Sequence, residues 1–176
     1  NYGMELMLRK NRGRLTGWIG YALGWAYRHT AQINDGKPYP AKQDRRHDLS
    51  IVANYRINRR WDCSAVFVYA TGNALTMPES MYLVGENAVC EYGPHNGGRM
   101  PAYHRLDLSA NYWISKKKNT EQVINISLYN AYNRNNPAYL AVDIIQDKDK
   151  NGKKDQLIIR KRGKSIYGII PSISYS

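Results

Sequence analysis

The chain has 176 residues, a length that suits a single domain with its own hydrophobic core. It carries 26 lysines and arginines against 14 aspartates and glutamates, and the resulting net charge of +12 favours anionic partners such as nucleic acid, acidic ligands or lipid headgroups. No apolar run approaches the roughly 18 residues that a transmembrane helix needs, which excludes that class but leaves membrane-spanning strands open.

Seven segments alternate between apolar and polar side chains, and this period of two predicts β-strands with two different faces. In chain order they are Tyr2 to Lys10, Arg14 to Arg28, His47 to Asn58, Trp61 to Thr71, two within His104 to Asn133, and Ser165 to Ser176.

Short and long connections alternate along the chain. "NRG", "NRR" and "SKKKNTE" are short, whereas residues 29–46, 72–103 and 134–164 form long loops. This pattern predicts an antiparallel sheet with one plain rim and one elaborated rim. In the last long loop, "AYLAVDIIQ" and "DQLIIRK" flank a turn and could form a further hairpin.

The predicted strands run from nine to fifteen residues, longer than the roughly five to six of soluble strands and long enough to cross a bilayer. Their polar rows contain Asp48, Asn54, Asp107, Asn111 and Asn125, which would be costly to bury unpaired but face a water-filled lumen at little cost. A β-sandwich whose polar face meets solvent is the alternative that the pattern leaves open.

Aromatic residues with a polar tip stand near the predicted strand ends. Such residues suit membrane–water interfaces, where one part of the ring is wet and the other apolar. The predicted interface aromatics are Trp25, Tyr27, Trp61, Tyr69, Tyr112 and Tyr175.

Four phrases carry a resemblance to a known family: "PAKQDRRHDLSIVANYRINRRWDCSAVFVYATGNALTMP", "GRMPAYHRLDLSANY", "ISLYNAYNRNNPAY" and "IIPSISYS". In order and spacing they resemble the last third of the β-barrel of a TonB-dependent outer-membrane receptor. The resemblance implies an all-β, antiparallel transmembrane barrel of 22 strands. Residues 1–176 would supply its final seven strands, and the plug domain and the earlier strands would lie outside this chain.

The resemblance also implies outer-membrane active transport, in a bacterium with two membranes, with the short turns periplasmic and the long loops extracellular. The expected partners are outer-membrane lipid and lipopolysaccharide, the TonB energy-transducing complex acting through the plug, a nutrient ligand and, as a further candidate, a surface lipoprotein. The nutrient itself stays open among metal chelates, cobalamin, glycans and peptides.

Ligand-facing candidates stand where long loops enter strands, as in "DRRH" and "RMPAYHR". Arginine and histidine there could contact an anionic or metal-chelate ligand, or could instead pair with neighbouring carboxylates or lipid phosphates. These candidates are Arg45, Arg46, His47, Arg99, Tyr103 and Arg105. Tyr92 and His95 are further candidates in the long loop between the two phrases, which could form an adaptable binding lid or make no ligand contact. Tyr129 is added as a side chain that would face the lumen of the barrel that the resemblance implies.

The segment "DKDKNGKKD" spaces oxygen side chains around a glycine in the manner of a calcium loop. Its possible calcium ligands are Asp147, Asp149, Asn151 and Asp155, whereas a solvated hairpin tip built on Asn151-Gly152 is the alternative. No other cofactor is expected. Cys63 and Cys90 are predicted to lie too far apart for a disulfide.

No arrangement of residues points to catalysis, and the chain is not expected to be an enzyme. The competing hypothesis is a soluble basic β-sheet protein that binds nucleic acid through aromatic and cationic side chains. The placement of lysine and arginine disfavours it, because they cluster in turns rather than along a sheet face, and no nucleic-acid partner is expected.

Overall fold

The computed structural model describes residues 1–84, 87–117, 120–148 and 155–176. These ranges fold as strands and turns with one short 3₁₀ segment, Asn34–Gly36, and no helix in them is long and apolar enough to cross a membrane. The strands are β1 (Tyr2–Lys10), β2 (Leu15–Trp25), β3 (Tyr27–Arg28), β4 (Tyr39–Pro40), β5 (His47–Arg56), β6 (Trp61–Ala70), β7 (Ala74–Leu75), β8 (Pro78–Val84), β9 (Asn87–Tyr92), β10 (Gly98–Arg99), β11 (Tyr103–Lys117), β12 (Thr120–Tyr129), β13 (Pro137–Lys148), β14 (Asp155–Ser165) and β15 (Ile170–Tyr175).

The main sheet has seven antiparallel strands in the order β1-β2-β5-β6-β11-β12-β15. This confirms the all-β prediction, the seven strands and their antiparallel pairing. The sheet is open: β1 and β15 are its edges, and the described ranges contain no pairing between them. A closed barrel is therefore not seen.

Most predicted segments differ from the observed strands by one or two residues at an end, and two of them differ more. The second stops at Trp25, because Ala26 donates its N–H to the Asp44 carboxylate (2.6 Å) and accepts from the Ala41 N–H (2.8 Å), which redirects the chain into β3 and β4. The last begins at Ile170, since Ser165 belongs to β14.

One face of the main sheet is apolar from strand to strand. The register aligns Ile19, Ile51, Phe67 and Leu106 across four neighbouring strands, and aligns Ile126 with Ile173 at the β15 edge. Ile126 is 53% and Ile173 is 73% exposed, and no second sheet covers this face in the described part of the chain. The β-sandwich alternative therefore does not describe this sheet.

The opposite face carries a ladder of hydrogen-bonded polar side chains, beside an apolar group of Trp18, Val52, Val66 and Val68. Asn125 donates to the Asn111 side-chain oxygen (2.6 Å), and Asn111 in turn donates to Asp62 (2.8 Å). Ser64 bonds Asn54 (2.7 Å) on the neighbouring strand pair. Because each strand presents one set of side chains to each side, the two faces differ as the sequence predicts.

The remaining strands pair as small sheets in the long connections: β3–β4, β7–β10, β8–β9 and β13–β14. The β13–β14 pairing confirms the hairpin predicted from "AYLAVDIIQ" and "DQLIIRK". The β8–β9 hairpin was not predicted, since the sequence between Gly72 and Tyr103 was interpreted as a loop. Among the described residues, the buried ones lie in or beside these connections: Tyr39, Ala41, Asp44, Ala70, Gly72, Ala74, Pro78, Asn96 and Asn130. Cys63 and Cys90 are free thiols.

Candidate functional site

A cluster of two tyrosines and an arginine occupies the polar face where β11 and β12 meet the long loops. The terminal Nη1 group of Arg105 donates to the hydroxyls of both Tyr103 (2.9 Å) and Tyr129 (2.7 Å), and the guanidinium carbon lies 4.1 Å from the centre of the Tyr129 ring. Asp107 accepts from the same guanidinium at 2.9 Å. These contacts fix the arginine and both rings before any ligand arrives, which lowers the entropic cost of binding.

This cluster lines an open cavity of about 650 Å³, a size typical of small-molecule sites. Lys42 and Arg45 add positive charge to the lining, and no carboxylate is among its described residues. Tyr139 and Tyr167 add further rings from the β13–β14 hairpin and the segment after it. The chemistry of this lining suits a ligand that presents an anionic group together with a ring or apolar surface.

Arg99 faces a buried carboxylate rather than the cavity. It forms an ion pair with Asp44 and donates to the Asp44 carbonyl (2.9 Å) and the Gly72 carbonyl (3.2 Å), so it ties two long connections together. Burial by itself raises the pKa of Asp44, but the Ala26 N–H and the Arg99 guanidinium outweigh it and hold that pKa below its ordinary value of 3.8. Arg46 lies 3.7 Å from Asp44 and stacks over the Trp25 ring.

The other loop candidates are spread over different surfaces. The His47 ring bonds the Tyr21 hydroxyl (2.7 Å), and its register position puts it on the apolar face. His95 packs edge-on against Tyr39, whereas Tyr92 is 63% exposed at the end of β9. Of the nine ligand-facing candidates, the structure therefore brings together Arg45, Tyr103, Arg105 and Tyr129 at one cavity.

The predicted interface aromatics form two groups on the apolar face. Near the short turns, the ring centres of Trp61 and Tyr112 lie 4.9 Å apart, and Ile124 joins Tyr112 to Tyr175 in the same row. Near the long loops, Trp25 stacks on Tyr2, and Tyr69 stacks on His104. Tyr27 lies apart in β3.

Two asparagines that sequence reasoning did not select shape this rim. Asn130 is 1% exposed, and its side chain closes the following turn by bonding both the N–H and the carbonyl of Arg134. Asn136 accepts from the His104 N–H (3.1 Å) and donates to the His104 carbonyl (2.8 Å), as a neighbouring strand would. The asparagine-rich run "NAYNRNN" is the signal that could have identified them.

Part of the calcium hypothesis lies outside the described residues. Asp149 and Asn151 are among those that the structure does not describe, whereas Asp147 and Asp155 belong to the ends of β13 and β14 that face each other in the hairpin. The described ranges contain no group of three or more histidine, cysteine, aspartate or glutamate side chains placed to hold a metal ion.

No protein-family model, no curated protein and no solved structure matches this chain.

Proposed function

We propose that the seven-stranded sheet is part of the wall of a transmembrane β-barrel in a bacterial outer membrane, and that this barrel is a TonB-dependent receptor that imports a scarce nutrient. The observation that carries the proposal is the contrast between the two faces. The apolar face is continuous and uncovered, whereas the polar face is cross-linked by hydrogen bonds. Lipid would cover the first face and water would wet the second.

The spacing of the aromatic groups agrees with this arrangement. Trp61 and Tyr69 lie eight residues apart on β6, which corresponds to about 26 Å along the strand. Strand tilt of about 40° would reduce this to roughly 20 Å across the membrane, close to the apolar band of about 25 Å in outer-membrane barrels. The apolar rows lie between these two aromatic levels.

The free edges of the sheet support a larger wall. β1 is exposed along all nine of its residues and β15 along all six, so each presents unpaired backbone groups. Such an edge is not tolerated in lipid and invites pairing in water. We infer that further strands pair with β1 and β15 and close the barrel.

The rim cavity is the proposed place of nutrient contact. It opens on the polar face, which is the lumen side in this arrangement, and its lining carries Lys42, Arg45 and Arg105. Arginine keeps its charge at every physiological pH, so Arg105 is suited to holding an anionic group rather than to transferring protons. We therefore propose binding and transport, and not catalysis.

A pair of neighbouring residues tests which face meets lipid. Ser109 and Ala110 are small, adjacent and central in β11, and they point to opposite faces. In a variant lacking Cys63 and Cys90, the full chain would carry a fluorophore on Ser109→Cys or on Ala110→Cys, in vesicles that contain brominated lipid. We expect strong quenching at position 110 and little at position 109.

Equal quenching at both positions would overturn the proposal. So would a chain that stays monodisperse in water without detergent and binds single-stranded nucleic acid in a salt-sensitive way, because that outcome favours the soluble nucleic-acid-binding alternative.

A further inference from the structure

The short turns form an exposed cationic rim at the end of the sheet opposite the cavity. This basic rim is defined by residues of the β1–β2 and β5–β6 hairpins, all of them exposed: Arg9, Lys10, Arg12, Arg14, Arg56, Arg59 and Arg60. The third short turn, between β11 and β12, has the sequence "KKKN" and lies partly outside the described residues.

Backbone hydrogen bonds bring these turns side by side. The Arg56 N–H donates to the Arg14 carbonyl (2.8 Å), which joins the first hairpin to the second. The Trp113 N–H donates to the Arg60 carbonyl (2.8 Å), which joins the second hairpin to the third. The positive charges of the first two hairpins therefore lie side by side on one surface, next to the start of the third hairpin.

Within the described part of the chain, none of the basic residues that define the rim forms an ion pair, although Glu121 lies in the third hairpin and Asp62 is the register partner of Arg56. All four ion pairs among the described residues involve Asp44, Asp48 or Asp107, at the other end of the sheet. Asp62 is the nearest acid in β6, and its carboxylate is already bonded to Asn111 and Trp113 on the polar face. Like charges held together without partners favour an external anion.

The basic rim lies just beyond the apolar face. Trp61 directly follows Arg60, and its ring contacts Tyr112 at the level where the apolar rows end. Leu15 and Tyr55 are paired at the same level, next to Arg14 and Arg56, and are exposed. Cations next to aromatic rings, at the edge of an apolar surface, match the order of headgroup and acyl chain in a lipid leaflet.

We propose that the basic rim binds the phosphate groups of anionic phospholipids in the leaflet that surrounds the short turns. This inference rests on the proposed membrane location of the sheet, and it adds the lipid class and the residues that select it. Each exposed arginine would contact headgroup phosphate while the neighbouring rings lie among the upper acyl carbons.

The test uses the full chain in vesicles of phosphatidylcholine alone or with one third phosphatidylglycerol. Native mass spectrometry would count the lipids that stay bound after the protein is released into detergent. The triple variant Arg12→Gln, Arg59→Gln, Arg60→Gln removes charge from the basic rim. The matched control, Arg28→Gln, Lys37→Gln, Lys164→Gln, removes equal charge from exposed positions at the long-loop end.

We expect the unmodified chain and the control to retain phosphatidylglycerol over phosphatidylcholine, and the rim variant to retain about tenfold less of it. Equal retention of the two lipids, or equal loss in both triple variants, would overturn the inference while leaving the membrane proposal intact. Failure of the unmodified chain to insert into either vesicle would overturn both. Preferential retention of nucleic acid over phosphatidylglycerol would also refute the inference.

Discussion

Asp44 shows how much of the long-loop rim depends on one side chain. Its carboxylate is buried, accepts the Ala26 N–H and pairs with Arg99, which itself reaches two carbonyls. A buried charge of this kind stabilises a structure only while its partners are present, because burial without them is costly. The ion pair of Asp44 and Arg99 therefore holds together the connections around β4 and β10.

We expect Asp44→Asn to lower the free energy of unfolding by about 3 kcal/mol, since it leaves Arg99 without its buried counter-charge. Guanidinium unfolding of the variant would measure this change. Asp35→Asn is the matched control, because Asp35 is exposed and its left-handed backbone (φ 54°) suits asparagine equally well. Equal stabilities for the two variants would contradict the role of Asp44.

Low pH should destabilise the fold by protonating the same residue, Asp44. The pKa of Asp44 is lower in the folded chain than its ordinary 3.8, so its stabilisation is present at neutral pH and is lost as the pH falls below 3.8 through the folded value. We expect the unmodified chain to lose stability over this range and Asp44→Asn to lose less. If the stabilities of the unmodified chain and of Asp44→Asn fell in parallel as the pH drops through 3.8, this assignment would be refuted.

Lys42 allows the charge of the cavity to be tested without disturbing the fold, because it is exposed and lines the cavity. We expect Lys42→Gln to weaken binding of a trisulfonated pyrene, an anionic aromatic probe, by about threefold. Fluorescence titration would measure the dissociation constant. Lys37→Gln, in the same connection but outside the cavity lining, should bind as the unmodified chain does; an equal loss there would remove the argument for a specific site.

At the scale of the strand, the two faces should respond differently to the same charge. Ile51 lies mid-strand on the apolar face, and its neighbour Ser50 lies on the polar face. We expect Ile51→Lys to lower the free energy of unfolding in vesicles by about 2 to 4 kcal/mol. Ser50→Lys should change it by less than about 1 kcal/mol. A larger loss for Ser50→Lys would reverse the proposed orientation.

The strands were the most predictable part of the fold. Alternation fixes which side chains share a face, so the rows through Ile51 and Leu106 could be predicted before any coordinates. The ends of the strands were less predictable. For example, β2 ends at Trp25 because the Ala26 N–H donates a hydrogen bond to Asp44, which is distant in sequence. The β8–β9 hairpin escaped prediction since polar residues interrupt its alternation.

The site was predictable only in part. Tyr103 and Arg105 share a strand face by parity, and Tyr129 could be predicted to lie near them from the hairpin. By contrast, the sequence gives Arg99 and Arg105 the same role as ligand-facing candidates, and only the fold shows that Arg99 faces Asp44. Side-chain partners across long loops carry no periodic signal, so Asn130 and Asn136 were also missed.

At the scale of the whole molecule, the two faces and the two rims together predict where in the cell the protein is located. When the full chain is expressed in a bacterium with two membranes, we expect it to sediment with outer membranes and to require detergent for extraction. Density-gradient fractionation and immunoblotting would measure this. Recovery in the soluble fraction, with a monodisperse elution profile, would contradict the proposed wall.

The ladder of Asp62, Asn111 and Asn125 has a consequence for anything that moves along this side of the sheet. Two hydrogen bonds already join these side chains, so a solute that displaces them gains little. Such a surface can be hydrated by water but binds a solute only weakly. In the proposed barrel, a cargo that leaves Arg105 and its two tyrosines would pass groups that bind it weakly and leave its hydration shell in place.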